Sequence, residues 1–131
     1  MKLSSKAHYG LQACQILAGR YGDAVSATEL EEKIGVSGKY LEKIMRILTQ
    51  NSIVTARRGA SGGYMLVRPP EKTTVGEITR ALEDDMQLVH CVSSACEKCE
   101  CKSGKVWRTL YAKMNEFLDS ITLKDMLEES F

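Results

Sequence analysis

Four of the five cysteines lie within eleven residues, at Cys91, Cys96, Cys99 and Cys101. Thiolates bind zinc, copper and iron–sulfur clusters, and in a cytosolic chain such a group more often binds metal than forms disulfides. Zinc sites usually pair two CxxC motifs on separate turns, whereas this segment contains one. Iron–sulfur clusters accept compact loops and often take a fourth ligand from elsewhere. The spacing therefore favours an iron–sulfur site, with a zinc-stabilised loop or redox-sensing thiols as alternatives.

The remaining cysteine and the two histidines are weaker metal-site candidates. Cys14 lies on the apolar face of the first predicted helix, where a cysteine usually acts as a buried small hydrophobe. His90 directly precedes Cys91, so simultaneous ligation of one iron by both is sterically awkward. His8 lies near the start of the first predicted helix, and its default interpretation is a surface residue.

A second set of residues has the chemistry of DNA recognition. Ser37 is a plausible N-cap of a helix that carries Lys39, Tyr40, Glu42 and Lys43 in its first two turns. Lysine can donate to guanine or phosphate, tyrosine can reach a base edge or the backbone, and glutamate can accept from the cytosine amino group. An ordinary solvated helix face has the same composition, so these residues alone do not decide between the two interpretations.

The segment that follows this helix favours DNA binding. Two predicted strands, 53–57 and 64–67, are joined by a glycine-rich loop, and the candidate DNA contacts there are Arg57, Arg58, Gly59, Ser61 and Gly62. Basic side chains beside a glycine-rich tip are suited to phosphates or to the adjacent minor groove. A short helix, a turn, a longer helix and then a basic hairpin indicate a winged helix-turn-helix.

Helix signals place these residues on specific elements. A capping box at Ser26–Glu29 opens the short helix, and Gly35 ends it. A second capping box at Thr74–Glu77 opens a helix to about residue 82, and Thr122 is a possible cap for a final short helix. From Gly104 to about Ser120, apolar residues recur every three or four positions, which predicts a long amphipathic helix. Its apolar stripe is wider than packing within a small domain requires. The predicted fold class is mainly α with a small β-hairpin.

Composition and charge limit the function classes. The chain has 131 residues, 44% hydrophobic and 27% charged, as expected for one globular domain. The net charge is +1, yet residues 1–70 carry ten Lys and Arg against five Asp and Glu, which suggests that this half meets a polyanion. The apolar runs are too short to span a bilayer, and the start lacks a signal peptide, so a cytoplasmic protein is expected. No nucleophile–base pair or phosphate-binding loop is recognisable, which argues against an enzyme.

Several segments resemble one family. Residues 1–11, 36–42, 58–66 and 118–123 resemble the Rrf-type bacterial transcription regulators, and the similarity covers essentially the whole chain. The family includes the IscR, NsrR and CymR types, which respond to iron–sulfur clusters, nitric oxide and cysteine metabolism. The resemblance implies a homodimeric winged-helix regulator whose long helix, from Gly104 to about Ser120, forms the dimer interface. Two recognition helices would then read a palindrome in double-stranded DNA with half-sites about one helical turn apart.

The resemblance also implies ligands for an iron–sulfur cluster, most simply 2Fe–2S with 4Fe–4S as the alternative. Cluster-binding members carry three cysteines before the long helix; Cys91 and Cys101 match the outer two, and Cys96 is favoured over Cys99 as the middle one. Where the IscR type has a histidine, this sequence has Gly104. The hypothesis for the fourth ligand is therefore His8 from the partner subunit, with Cys99 as the competitor.

The predicted organisation is a DNA-binding domain at 1–82, a cysteine-rich cluster-binding loop at 83–103, and a dimerisation helix with a C-terminal segment at 104–131. The predicted function is regulation of transcription according to iron–sulfur status, with genes for cluster biogenesis as the expected targets. In some relatives the glutamate matching Glu42 discriminates between two classes of DNA site. The alternatives are a cluster-free regulator of cysteine metabolism and a nitric-oxide or redox-sensing repressor. A zinc-stabilised interaction module that never reads DNA is the alternative from a different class.

Overall fold

The computed structural model describes residues 3–83 and 102–131. The first part contains α1 (Ser5–Gly19), α2 (Ala27–Ile34), α3 (Gly38–Gln50), β1 (Val54–Arg57) and β2 (Gly63–Leu66). After the hairpin come a 3-10 turn (Pro70–Lys72), α4 (Val75–Leu82), α5 (Lys102–Ser120) and α6 (Leu123–Glu128). This confirms the predicted fold class, a mainly helical winged helix-turn-helix with a small antiparallel hairpin and a long helix near the C-terminus.

The helix-turn-helix is set by local caps. The Ser37 hydroxyl accepts from the Tyr40 amide at 3.2 Å, and Gly35 ends α2 with φ +81°, a left-handed conformation that favours glycine. Gly38 opens α3 where α2 lies close, since a Cβ there would come within 2.1 Å of Glu31 Oε1. These contacts confirm the predicted end of α2 at Gly35 and the predicted start of α3 at Ser37.

The two predicted capping boxes, at Ser26 and Thr74, are only half formed. Each hydroxyl accepts from the amide three residues later, at 3.2 and 3.1 Å, as predicted. The glutamates, however, use their carboxylates elsewhere. Glu29 accepts from Arg20 at 2.6 Å, and Glu77 from an arginine just after the hairpin. A guanidinium is a stronger donor to a carboxylate than a neutral backbone amide, so the tertiary partner is preferred.

The hairpin is held against the helix-turn-helix by its backbone. β1 and β2 pair antiparallel with Arg57 opposite Gly63. The next residue, Tyr64, exchanges two backbone hydrogen bonds with Val25, at 2.9 and 3.0 Å. Gly63 is required for this approach because its φ is +155° and a Cβ there would lie 2.2 Å from the Val25 carbonyl oxygen. The hairpin is therefore fixed to the segment that precedes α2.

One hydrophobic core joins helices from both parts of the chain. Its fully buried members, each under 2% exposed, include Leu17, Leu30, Leu41, Ile44, Met45, Leu48, Ile78, Leu82 and Leu123. Leu123 begins α6, which packs against α1. Its amide donates to the Thr73 carbonyl at 2.9 Å, while the Val75 amide donates to the Ile121 carbonyl at 2.8 Å. These two hydrogen bonds, called the backbone bridge below, join the end of α5 to the start of α4.

Cys14 is fully buried in this core, as the sequence predicts. Burial disfavours the thiolate and raises the pKa of Cys14 from 9.0 to about 12. We expect Cys14 to resist iodoacetamide near pH 8 in the folded protein and to react rapidly in denaturant, measured by mass spectrometry of its peptide. As pH rises, the thiol of the unfolded protein ionises before that of the folded protein. The free energy of unfolding that Cys14 contributes is therefore retained below pH 9 and declines above it. Equal labelling rates in the folded and denatured protein would contradict this.

Helix α5 is exposed along most of its length. Val106 and Phe117 are each 58% exposed and Leu110 is 41% exposed, although all three are large apolar residues. They are four and seven residues apart, so they share one face of the helix. Among α5 residues, Gly104 is buried. In the described part of the chain, no helix is both long and apolar enough to cross a membrane.

Candidate nucleic-acid interface

The exposed face of α3 carries a row of basic side chains. Lys39 and Lys43 are exposed, as is Arg46, while Leu41 and Ile44 on the opposite side are buried. The basic residues are four and three positions apart and so lie on one side of the helix. Arg46 was missed in the sequence analysis, although its spacing from Lys43 was a signal that could have found it.

The other predicted residues of α3 differ in how free they are to contact a ligand. The Ser37 hydroxyl caps the helix. Tyr40 is half-buried, and its ring meets that of Tyr9 edge to face, with centroids 6.1 Å apart at 87°. Glu42 is exposed beside the basic row. Tyr40 therefore joins the start of α3 to α1, and Glu42 is the acidic group available to a base edge on this face.

The hairpin tip is narrow, basic and built on glycines. Arg57, Arg58 and Ser61 are exposed. Gly59 has φ +109°, and its carbonyl accepts from the Gly62 amide at 3.0 Å. A Cβ on Gly62 would lie 2.3 Å from the Arg57 carbonyl oxygen, so a larger residue there would open the turn. This tip can present two guanidinium groups to a nearby polyanion.

The structure thus gathers the ten predicted DNA-contacting residues on two neighbouring elements. They belong to the N-cap and first half of α3, or to the end of β1 and the hairpin tip, and α3 packs against β1. A helix with a basic exposed face beside a basic hairpin can contact phosphates on both sides of a groove while donating to base edges within it.

The predicted metal ligands are placed differently. Cys91, Cys96, Cys99 and Cys101 lie outside the described residues. His8 is exposed on the first turns of α1, with its ring centroid 5.3 Å from that of Tyr9. Within residues 3–83 and 102–131, no group of three or more His, Cys, Asp or Glu side chains is arranged to hold a metal ion.

The start of α1 lies beside the point where the chain enters the cysteine segment. The Ser4 amide donates to Glu83 Oε1 at 2.6 Å, and Glu83 is the last residue described before that segment. A carboxylate at a helix N-terminus also interacts favourably with the helix dipole. The helix that carries His8 and Tyr9 is therefore held by the residue that leads into the cysteines.

Comparison with known proteins gives a consistent result. The sequence profile of the Rrf2 family, described as iron-dependent transcriptional regulators, matches residues 3–129. The regulator IscR of Sodalis glossinidius is 31% identical, over 97% of this chain and 79% of its own length. Among solved structures, IscR of T. potens is 37% identical with a TM-score of 0.80, covering 100% of this chain and 89% of that one. The global cysteine regulator CymR of B. subtilis is 31% identical with a TM-score of 0.85, covering 100% and 99%.

Proposed function

The chain belongs to the Rrf2 family of transcriptional regulators, and from that membership we propose that it is a homodimer that senses iron–sulfur status through its cysteine segment. Members of this family regulate transcription and are not enzymes. The proposed targets are genes for iron–sulfur cluster biogenesis, and the proposed location of the protein is the cytoplasm.

The observation that carries the DNA-binding part is the basic face of α3 beside the basic hairpin tip. In the proposed complex α3 enters the major groove, where Lys39 and Lys43 donate to guanine or phosphate and Glu42 accepts from a cytosine amino group. Arg57 and Arg58 reach the phosphates or the neighbouring minor groove. The shapes of the α3 contact and of the hairpin contact are set by Ser37 and Tyr40 in the first case and by Gly59, Ser61 and Gly62 in the second.

The homodimer is proposed from the exposed apolar face of α5. Val106, Leu110 and Phe117 leave a stripe that a second copy of the same helix can cover. An interface made by the same surface on both copies has two-fold symmetry, which suits a palindromic operator. The two recognition helices would then address half-sites about one turn of DNA apart.

The donor set of the cysteine segment is the support for a cluster. Iron–sulfur centres are held by thiolates, which imidazole replaces in some centres, and we propose Cys91, Cys96 and Cys101 with His8 of the partner subunit. Cys99 is the competing ligand, and 2Fe–2S is favoured over 4Fe–4S. When bound, the cluster would supply a redox-sensitive crosslink between the cysteine segment of one subunit and α1 of the partner subunit.

This chain's own residues offer a route from the cysteine segment to α3. Glu83 holds the Ser4 amide, and Tyr9, on the helix that Ser4 caps, contacts Tyr40 in the first turn of α3. A change in the cysteine segment would shift the position of α1 and with it the start of the recognition helix. The proposed switch is thus a shift between two populations that differ in their affinity for DNA.

We propose the functional division 1–82 for DNA binding, 83–103 for sensing and 104–131 for dimerisation.

One alternative function has a specific observation in its favour. The TM-score to CymR of B. subtilis, a cysteine regulator, is 0.85, against 0.80 for IscR of T. potens. A cluster-free regulator of cysteine metabolism is therefore the second candidate.

The first experiment is an absorption spectrum with iron and sulfide analysis on protein purified without oxygen. We expect charge-transfer bands between about 300 and 500 nm, since thiolate and sulfide ligation to iron produces them. His8→Ala should weaken these bands or hasten their loss in air. Gln15→Ala, an exposed position farther along the same helix, is the matched control and should leave them unchanged.

The outcomes separate the candidates. A protein that stays colourless after anaerobic reconstitution would rule out the cluster, and thiol titration with zinc analysis would then test the second candidate. A coloured protein whose bands are unaffected by His8→Ala would exclude His8 as the fourth ligand. Loss of the bands in both Cys96→Ala and Cys99→Ala in that case would assign the fourth position to Cys99.

A further inference from the structure

We propose that Arg80 is a positioning residue that fixes the spacing of operator half-sites by locking α4 to α5. The inference rests on the proposed homodimer, because a half-site spacing exists only if two DNA-binding units are joined through α5. Arg80 donates through Nη2 to Asp119 Oδ1 at 2.6 Å and through Nη1 to Asn115 Oδ1 at 3.1 Å. One guanidinium thus bridges two residues that are one helical turn apart on α5.

The need for such a lock follows from how the DNA-binding unit is attached to α5. The backbone bridge, with its two hydrogen bonds between residues 73–75 and 121–123, joins α4 and α5 at one end of each helix. Attachment near one end of each helix leaves side-chain contacts to limit rotation about that end. Arg80 lies five residues along α4 from Val75 and supplies such a contact away from the backbone bridge.

Gly76 gives an independent sign that this junction is closely fitted. A Cβ at Gly76 would lie 2.0 Å from Asp119 Oδ1 and 3.1 Å from Arg80 Nη1. The absence of a side chain is what leaves Asp119 in reach of Arg80. A methyl group would displace the flexible end of Asp119 and break the ion pair without touching any backbone atom in that contact.

A small swing is enough to alter the DNA that two units can read. From Asp119 to Val106, at the start of the exposed apolar stripe, α5 rises about 20 Å at 1.5 Å per residue. A rotation of about 10° at the junction moves the far end by about 3.5 Å, close to the rise of about 3.4 Å per base pair along one strand. A junction held at two points therefore favours one half-site spacing, and a looser junction tolerates neighbouring spacings.

The other side of α4 continues the connection toward the hairpin. Arg68, two residues after β2, donates through both Nη1 and Nη2 to the carboxylate of Glu77. Glu77 and Arg80 are three residues apart on α4, and both line a cavity of about 290 Å³ beside Asn51 and Ile53. Two ion pairs on one short helix thus link the segment that follows β2 to α4, and α4 to α5.

The test uses duplexes that the wild-type protein enriches from a random-sequence library. The half-sites found there are then separated by one or two base pairs more or fewer, and binding to each duplex is measured. We expect a sharp optimum for the wild type and, for Arg80→Ala, a loss of spacing discrimination of about threefold, the size typical of an exposed ion pair. Half-site sequence preference and the dimer should be unchanged, which loss of folding would not produce.

Three further variants keep the result specific. Gly76→Ala should broaden the spacing profile as Arg80→Ala does, and alanine in a helix should not weaken the fold. The double variant Arg80→Ala with Asp119→Ala should be no broader than either single variant, because the two residues act as one pair. Arg20→Ala removes a pair of equal length, 2.6 Å to Glu29, between α1 and α2, and should keep the wild-type profile.

The outcomes are distinguishable from failure of the proposed function. If the wild type enriches no paired half-sites, the homodimeric operator and the inference both fall. If the wild type has a sharp spacing optimum and Arg80→Ala keeps it, the inference alone is wrong. The same conclusion follows if Arg20→Ala broadens the profile as much as Arg80→Ala does.

Discussion

Replacement of Lys39 and Arg58 together by alanine is expected to lower DNA affinity by at least about 100-fold at physiological salt. Each phosphate contact made by a cation releases bound counterions, and the proposed homodimer would lose four such cations in this variant. The slope of log K against log salt should fall by about 3.6, which is about 0.9 for each lost contact. The measurement is a fluorescence anisotropy titration of a duplex enriched by the wild type, repeated over a range of salt concentrations.

The matched control removes the same charge from another surface. Lys33→Ala with Lys124→Ala takes two exposed lysines from α2 and α6, each beside a glutamate. This variant should retain nearly all of the affinity and most of the salt slope. Equal losses in the two variants would mean that overall charge, and not the α3 face with the hairpin, determines binding. An unchanged slope in the Lys39 and Arg58 variant would remove both residues from the interface.

Replacement of Val106 and Leu110 together by glutamate is expected to dissociate the proposed dimer into monomers. Burial of an aliphatic side chain stabilises an interface by up to about 1.5–3 kcal/mol, and the dimer would lose four of them. Four carboxylates would also face each other across the seam. We expect the dissociation constant of the dimer to rise by more than about 100-fold, measured by sedimentation equilibrium, and operator binding to weaken with it.

Folding of each protomer should survive this change, because both side chains are already exposed in the isolated chain, at 58% and 41%. The far-ultraviolet circular dichroism spectrum reports this directly. Arg108→Gln with Ala112→Glu changes the charge by the same amount at exposed positions of α5 that lie off the apolar stripe, and it should leave the dimer intact. A Val106 and Leu110 variant that remains dimeric would place the interface elsewhere.

Local signals in the sequence predicted most of the fold. Ser37 caps α3 and Gly35 ends α2 because a hydroxyl acceptor and a residue tolerant of positive φ act within a few residues of themselves. The hairpin follows from two short strands around a glycine-rich tip. The apolar stripe on α5 was also visible, since helical spacing alone places Val106 and Leu110 on one face.

Contacts between distant parts of the chain could not be predicted in this way. Arg80 and Asp119 are 39 positions apart, and nothing in their local sequence relates them. The same limit explains the half-formed capping box at Thr74, whose Glu77 is taken by Arg68 from the hairpin side. The pairing of Val25 with Tyr64 depends on how the hairpin folds back, and only the assembled fold reveals it. For the candidate nucleic-acid interface, residue types predicted the α3 face and the hairpin tip. The structure showed that Arg46 also lies on that face.

The packing of α6 against α1 has a consequence for synthesis on the ribosome. Ile121 and Leu123 are buried against the start of α4 and the core that α1 helps to form, yet they are translated long after those elements. Domains usually fold as units once their sequence has emerged. Here the nascent α1–α4 unit waits for α6 before its core is complete. The stable fold that carries the candidate DNA-binding surface is therefore complete only after α6 has been translated, when α5, the helix proposed to pair the protein with a second copy, has also been made.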